Sequence, residues 1–306
     1  MKTSTKWFIG IVGALLVLAL AGAFFFYFLW MTVTQESSES VSVTGSGQKV
    51  ALIELRGPIL ESESIVKQFK KFRERRDVKA IVFRVESPGG GVVASQEIYE
   101  EVKKTRDGGK PVVVSMGSVA ASGGYYVSCG ADRIVANPGT VTGSIGVISQ
   151  FLRLDPMLKK IGIEAQTVKS GKFKDTGSPF HELSKEERKY FQGLLDGVHR
   201  QFIDVVEEER SLDHAKVLEY SDGRVFTGEQ ALAMGLVDTL GTYEDAVKIA
   251  AVMADIKGEP GIVRESRRRL RFLDFLFGET KLGNLLDLKD EILNEPMLQY
   301  RFVQPQ

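Results

Sequence analysis

Ser122 is the residue whose type and neighbours best suit nucleophilic chemistry. It lies in GSVAASGGYYVS (residues 117–128), where small residues precede it and two glycines follow it. An apolar stretch at residues 111–115 runs into this segment, so we expect the hydroxyl where a strand gives way to a helix. The N-terminus of a helix favours developing negative charge. The pattern therefore predicts a nucleophile, and a helix-capping serine is the alternative.

A free hydroxyl is a weak nucleophile near neutral pH, so Ser122 needs a base. All three histidines lie in charged, helix-forming surroundings without a catalytic signature: His181, His199 and His214. That leaves lysine, and Lys174 in SGKFKDTGSP (residues 170–179) is the leading candidate. A lysine acts as a base only in its neutral form, so the site must desolvate the amine or surround it with hydrogen-bond acceptors.

Five motifs occur in this chain in the order found in the signal peptide peptidase A family. They are SPGGG (residues 87–91), AASGGYY (120–126), TGSIGVI (142–148), SGKFKDTGSP (170–179) and GRVFTGEQALAMGLVD (223–238). The chain resembles the half-length bacterial form of that family over roughly residues 50–250. The match includes the separation of the serine from the lysine, so the set is specific, although each glycine motif alone would be weak.

The resemblance implies a Ser/Lys serine peptidase with the Clp protease/crotonase fold. Ser122 would attack the peptide carbonyl and form an acyl-enzyme, with Lys174 as general base. Ser144 matches a family serine suited to hold the lysine amine, although the residues alone leave a turn-capping role equally open. Gly89 and Gly123 would supply the amides of the oxyanion hole, and an ordinary strand-to-helix turn is the alternative for the glycines of SPGGG.

The same resemblance implies substrates and assembly. Members of the family degrade signal peptides left after secretion, and their SPGGG loop pairs with the substrate backbone, which suits extended peptides. No metal or organic cofactor is implied. Half-length chains assemble into homo-oligomeric rings, in which the serine and the lysine of each site come from neighbouring protomers.

Composition sets the limits of the fold. The chain has 306 residues, of which 43% are apolar and 26% charged. It can bury one substantial core with helical appendages, or at most two small cores. Forty basic and forty acidic residues leave no net charge, so nothing points to nucleic acid as a partner. A single cysteine, Cys129, excludes an intrachain disulfide, and its small and apolar neighbours indicate a buried packing role.

Residues 7–31 contain no charged side chain, and about 20 apolar residues suffice to cross a bilayer as a helix. We therefore expect a transmembrane anchor. Lys2 and Lys6 precede it and the next basic residue is Lys49, so the positive-inside rule places the N-terminus in the cytoplasm and the rest outside the cell membrane. A cleaved signal peptide is the alternative, but cleavage near Ala21 would leave an apolar stretch at the new N-terminus.

The predicted class is α/β with one main domain. Its parts are a cytoplasmic N-terminus (residues 1–6), the transmembrane anchor (7–31), a flexible Ser/Thr-rich linker (32–48), the peptidase domain (49–255) and a C-terminal extension that could contribute to assembly (256–306). Strands are predicted at residues 50–55, 80–85, 111–115, 134–136, 141–148 and 165–169, and helices at 63–76, 97–104 and 184–210. The βαβαβ order predicts a mainly parallel sheet covered by helices.

Two other functions are compatible with parts of this pattern. An acyl-CoA hydratase or hydrolase would share the crotonase sheet and the oxyanion glycines, but the membrane anchor and the Ser/Lys pair argue against it. The second is a catalytically silent membrane scaffold that binds peptides. Covalent labelling by a serine-reactive phosphonate separates such a scaffold from both enzymes.

Overall fold

The computed structural model describes residues 12–13, 15–24, 27, 40–45, 47–266 and 298–302. The chain falls into two units, Met1–Val41 with Ser266–Glu279, and Ser42–Glu265 with Thr280–Gln306. In the first unit the described residues between positions 12 and 27 are helical. No helix made of described residues is long and apolar enough to cross a membrane. The anchor predicted at residues 7–31 lies partly outside the described residues and stays a prediction.

Strands and helices alternate along most of the second unit. The strands are β1 (Ser40–Thr44), β2 (Lys49–Arg56), β3 (Val78–Ser87), β4 (Gly89–Gly91), β5 (Val112–Ala121), β6 (Arg133–Ala136), β7 (Val141–Gly143), β8 (Val225–Thr227), β9 (Thr239–Leu240), β10 (Gly261–Ser266) and β11 (Gln299–Arg301). The helices are α1 (Glu63–Glu74), α2 (Val92–Asp107), α3 (Gly123–Cys129), α4 (Asp155–Lys160), α5 (Lys185–Arg210), α6 (His214–Tyr220), α7 (Gly228–Ala233) and α8 (Tyr243–Met253).

The main sheet runs in the order β1-β10-β2-β3-β5-β6-β9, and β7 adds to it by pairing with β5 and β8. Its central pairs are parallel, namely β10 with β2, β2 with β3, β3 with β5, and β5 with both β6 and β7. Parallel strands need crossover connections, which the helices between them supply. The βαβαβ order and the mainly parallel sheet predicted from the sequence are therefore confirmed.

Helices cover both faces of the sheet, which is why its strands read as nearly continuous apolar runs. On one face, Ala246 and Ala250 of α8 pack against Val50 and Val82 in a buried cluster. On the other face, the ring of Phe69 in α1 contacts Phe83 of β3 edge-on at 5.1 Å. Successive side chains of each strand pack against helices on opposite faces. Because both faces are closely packed, the positions of the strand ends are fixed.

Two predicted strands differ from the structure. The strand predicted at residues 165–169 is wrong, because this segment has no regular structure and Val168 is fully exposed. The strand predicted at residues 141–148 ends at Gly143, since the chain turns there with positive φ at both Gly143 and Ser144. β5 continues beyond its predicted end as far as Ala121.

Candidate active site

Three predicted site residues follow the ends of three neighbouring strands. Pro88 and then Gly89 follow β3, Ser122 follows β5 and Ser144 follows β7. Because β5 pairs in parallel with both β3 and β7, their carboxyl ends lie side by side. Open parallel sheets commonly bind their ligands outside this edge. The fold thus brings together residues that are far apart in the chain.

Ser122 has a backbone conformation that few residues other than glycine adopt, with φ 52° and ψ −116°. Its amide donates to Gly143 O at 2.8 Å, and its carbonyl accepts from Tyr126 N at 2.8 Å, so neighbouring elements hold this conformation. The hydroxyl caps nothing on α3. It is buried and has no hydrogen-bond partner among the described residues, the three histidines included. This geometry favours the nucleophile over the capping alternative.

Gly89 and Gly123 lie close together beside Ser122, and a backbone carbonyl lies against both. A Cβ added at Gly89 would lie 2.0 Å from Tyr300 O and 2.6 Å from Gly123 N, and one added at Gly123 would lie 3.1 Å from Tyr300 O. Gly89 also has φ +93°, so only glycine fits without strain. The Gly123 amide has no acceptor within its own helix, whereas the Gly89 amide donates to Ser87 Oγ at 3.1 Å.

Residues 298–302 occupy this site as an extended strand. β11 pairs antiparallel with β4, with Tyr300 opposite Gly90. At one end Val92 N donates to Leu298 O at 3.3 Å, and at the other Phe302 N donates to Pro88 O at 2.7 Å. On the opposite side, Gln299 exchanges two backbone hydrogen bonds with Ile148, at 3.0 and 3.1 Å. A segment of this chain therefore lies in the groove between SPGGG and TGSIGVI with its backbone bonded on both sides.

The side chain of Tyr300 fills an aromatic pocket and is wholly buried. Its ring stacks on Tyr126 at 5.1 Å and contacts Phe202 of α5 at 4.8 Å. Burial raises the pKa of the Tyr300 phenol, which stays protonated and donates to Val198 O at 3.2 Å. This pocket is suited to a large aromatic side chain next to the carbonyl that faces Gly89.

Lys174 lies in the lysine loop, which is residues 161–184 between α4 and α5. Its side chain is exposed, and its amine has no hydrogen bond or ion pair with another described residue. The neighbouring Phe173 ring stacks on Tyr190 of α5 at 5.2 Å. Within the described part of one chain, Lys174 and Ser122 are therefore not hydrogen-bonded.

A polar cluster shapes the lysine loop. Ligand atoms of Asp175, His181 and Glu187 lie within 4.8 Å of one another, a spacing that could suit a metal ion. Asp175 already pairs with Lys169 at 2.6 Å, and Glu187 completes the capping box at the start of α5. The ring nitrogens of His181 lie 3.0 and 3.1 Å from the carbonyl oxygens of Glu182 and Asp175, which raises the pKa of the ring. These contacts already account for the three side chains.

Ser144, predicted to orient the lysine, is buried and has φ 51°. Its amide donates to Arg224 O at 2.9 Å, which fixes the turn directly after the Gly143 carbonyl that holds Ser122.

Cys129 is buried in α3, where burial raises the pKa of its thiol to about 12, so it remains a protonated packing residue.

Sequence reasoning missed four residues that contribute to the site: Ser87, Ile148, Phe202 and Tyr300. For Tyr300 the sequence offered a signal, because large side chains alternate at positions 298, 300 and 302 as they do in a strand.

Comparisons with known proteins identify families that this chain resembles. The model of peptidase family S49 matches residues 104–257, and that of Clp protease matches residues 36–140. A Synechocystis protein proposed to be a protease is 44% identical over 70% of this chain and 77% of its own length. An Enterococcus faecium protein proposed to be a signal peptide peptidase SppA is 42% identical over 60% of this chain and 54% of its own length. Protease 4 of Haemophilus influenzae is 34% identical over 70% of this chain, and the match covers 36% of that longer protein.

Proposed function

Since the chain belongs to peptidase family S49, we propose that it is a membrane-anchored serine endopeptidase that cuts extended peptides, cleaved signal peptides among them. Ser122 is its nucleophile and Lys174 its general base. The observation that supports this most is the peptide strand beside Ser122, whose Tyr300 carbonyl lies against Gly89 and Gly123. A substrate held in the same way presents its carbonyl to the nucleophile and to the two amides.

The reaction follows from these positions. Ser122 Oγ attacks the substrate carbonyl carbon while Lys174 Nζ takes the hydroxyl proton. The negative charge on the tetrahedral oxygen is stabilised by the Gly123 amide and by the Gly89 amide, which exchanges its bond to Ser87 Oγ for one to the oxyanion. Lys174 then returns the proton to the leaving amine. Water hydrolyses the acyl-enzyme with Lys174 again as base, and Ser144 orients the amine.

The position of Lys174 supports a site shared between two protomers. Its amine is exposed and unpaired among the described residues, while the hydroxyl of Ser122 is buried without a partner. In a homo-oligomeric ring, a heterologous interface would bring the lysine loop of one copy to the Ser122 of the next. The apolar side chains of the loop that remain exposed, Ile161 and Ile163 among them, suit burial at such an interface.

Recognition through the backbone supports peptides of varied sequence as substrates. β4 and Ile148 bond main-chain groups on both sides of the groove, so affinity depends little on most side chains. The pocket of Tyr126 and Phe202 adds a preference for a large aromatic residue on the N-terminal side of the cut bond. An anchor at residues 7–31 would hold this domain at the extracytoplasmic face, where cleaved signal peptides remain in the membrane.

The test is hydrolysis of extended peptides by purified variants. Ser122→Ala and Lys174→Ala should each lower turnover at least about 10³-fold, whereas His181→Ala, His199→Ala and His214→Ala should leave it largely intact. Because only a neutral amine accepts a proton, wild-type turnover should rise as pH increases from neutral to alkaline. Near-normal turnover by Lys174→Ala, or a rate that is flat over this range, would contradict the dyad.

A further inference from the structure

The groove that holds residues 298–302 opens beyond Leu298 into a pocket of about 680 Å³. Leu298 lines one end, and Leu60, Val92 and Val93 supply much of the apolar lining. Leu60 and Val93 remain 51% and 64% exposed, so the apolar part of this pocket is open. A peptide longer than residues 298–302 has room to continue here.

Three glutamates surround the same pocket: Glu61, Glu63 and Glu97. None of them forms an ion pair with another residue that the structure describes, and Glu97 accepts a hydrogen bond from Ser62. Among the described residues that line the pocket there is no lysine or arginine. Glu63 and Glu97 also line the adjoining groove between α1 and α2, which contains lysines such as Lys67. Apolar walls edged by carboxylates that form no ion pair among the described residues are suited to a side chain with an aliphatic stem and a cationic end.

The direction of the bound strand identifies which part of a peptide meets this pocket. β11 is antiparallel to β4, so a chain that continues from Leu298 toward its N-terminus passes the start of α2 and reaches the glutamates. We propose that the pocket binds a basic side chain of the substrate, one to three residues before the residue at the position of Leu298. This inference rests on the proposed function and adds a preference for charge on the N-terminal side of the cut.

The charges of signal peptides and those of residues 290–297 in this chain both fit such a preference. Signal peptides carry their positive charges before the apolar segment, so a cut within that segment leaves these charges upstream of the cut bond. In contrast, residues 290–297 of this chain include Asp290, Glu291 and Glu295 and no lysine or arginine. The chain's own segment is thus poorly matched to the acidic pocket, and a peptide with a basic flank should displace it more readily.

The experiment measures hydrolysis of three peptides by the full chain. All contain Leu-Gln-Tyr at the positions of residues 298–300 and differ only two residues before the leucine, where they have lysine, glutamine or glutamate. We expect KM for the lysine peptide to be about five- to tenfold lower than for the glutamate peptide at low salt, with similar kcat. The difference should shrink in about 0.5 M salt, which screens exposed charges.

Variants separate the pocket from general charge effects. Glu61→Gln/Glu63→Gln/Glu97→Gln should bring the three KM values together, whereas Glu74→Gln/Glu219→Gln/Glu244→Gln makes the same change in net charge at glutamates that do not line the pocket, and should keep the preference. Equal KM values in the wild type, or a preference that survives the pocket variant, would overturn the inference. If no peptide is cut, the proposed function is contradicted instead. Affinities of the three peptides for Ser122→Ala, measured by fluorescence anisotropy, then test the pocket independently.

Discussion

Ser122 combines backbone strain with a hydroxyl that has no partner among the described residues. Its φ of 52° and ψ of −116° are held by the hydrogen bonds to Gly143 and Tyr126. Residues in such sparsely populated regions cost about 1–3 kcal/mol each and are found mainly at functional sites. The hydroxyl does not cap α3 and has no hydrogen-bond partner among the described residues. A glycine at this position would relieve the strain.

The strain gives the first prediction. Ser122→Gly should relieve this strain. Because glycine also increases the entropy of the unfolded chain, the net increase in the free energy of unfolding should be about 1 kcal/mol. Ser122→Ala keeps the strain, so its midpoint should match wild type and lie about 2–4 °C below that of Ser122→Gly in a thermal melt. Both variants should be inactive. If glycine and alanine melt at the same temperature, the inferred strain is absent.

At the scale of elements, the site depends on where parallel strands end. Motifs that follow β3, β5 and β7 can be predicted to meet, because parallel pairing aligns the carboxyl ends of neighbouring strands. The glycines of SPGGG and the serine before Gly123 also carry local signals, since they mark turns that need particular backbone geometry. Ser122 could therefore be selected from its own neighbours, whereas Gly89 and Ser144 were selected through the family resemblance.

Long-range pairing could not be predicted in the same way. β11 pairs with residues about 210 positions earlier in the chain, and nothing local in Leu-Gln-Tyr-Arg-Phe identifies that partner. The error at residues 165–169 has the same origin, because a short segment with β-forming residues such as Thr167 and Val168 forms a strand only where it can pair with a sheet. Val168 pairs with no strand in the part of the chain that the structure describes, and it stays exposed.

Occupation of the groove by residues 298–302 gives the second prediction. A tethered segment competes with added peptides at an effective concentration in the mM range. A chain that ends at Met297 should therefore have a KM about three- to tenfold lower, with unchanged kcat, in steady-state peptide hydrolysis. Tyr300→Ala, which empties the aromatic pocket but keeps the chain length, should shift KM in the same direction. An unchanged KM in both would show that the segment does not compete with substrate.

For the whole molecule, the proposed function makes activity depend on assembly. The exposed Lys174 and the buried Ser122 are proposed to meet only across an interface. Co-assembling equal amounts of Ser122→Ala and Lys174→Ala chains should restore an intact pair at about one quarter of the interfaces. Peptide hydrolysis should return to roughly that fraction of wild type. Co-purified mixed oligomers without activity would show that the dyad lies within one chain.

The most direct test of the central claim is covalent labelling with a fluorophosphonate, followed by peptide mapping in a mass spectrometer. The wild-type chain should gain one adduct, located on Ser122. Lys174→Ala should be labelled at least about 100-fold more slowly, because its serine lacks a base, and Ser122→Ala should not be labelled at all. An adduct on another residue, or labelling that continues at the wild-type rate in Ser122→Ala, would contradict the assignment of Ser122 as the nucleophile.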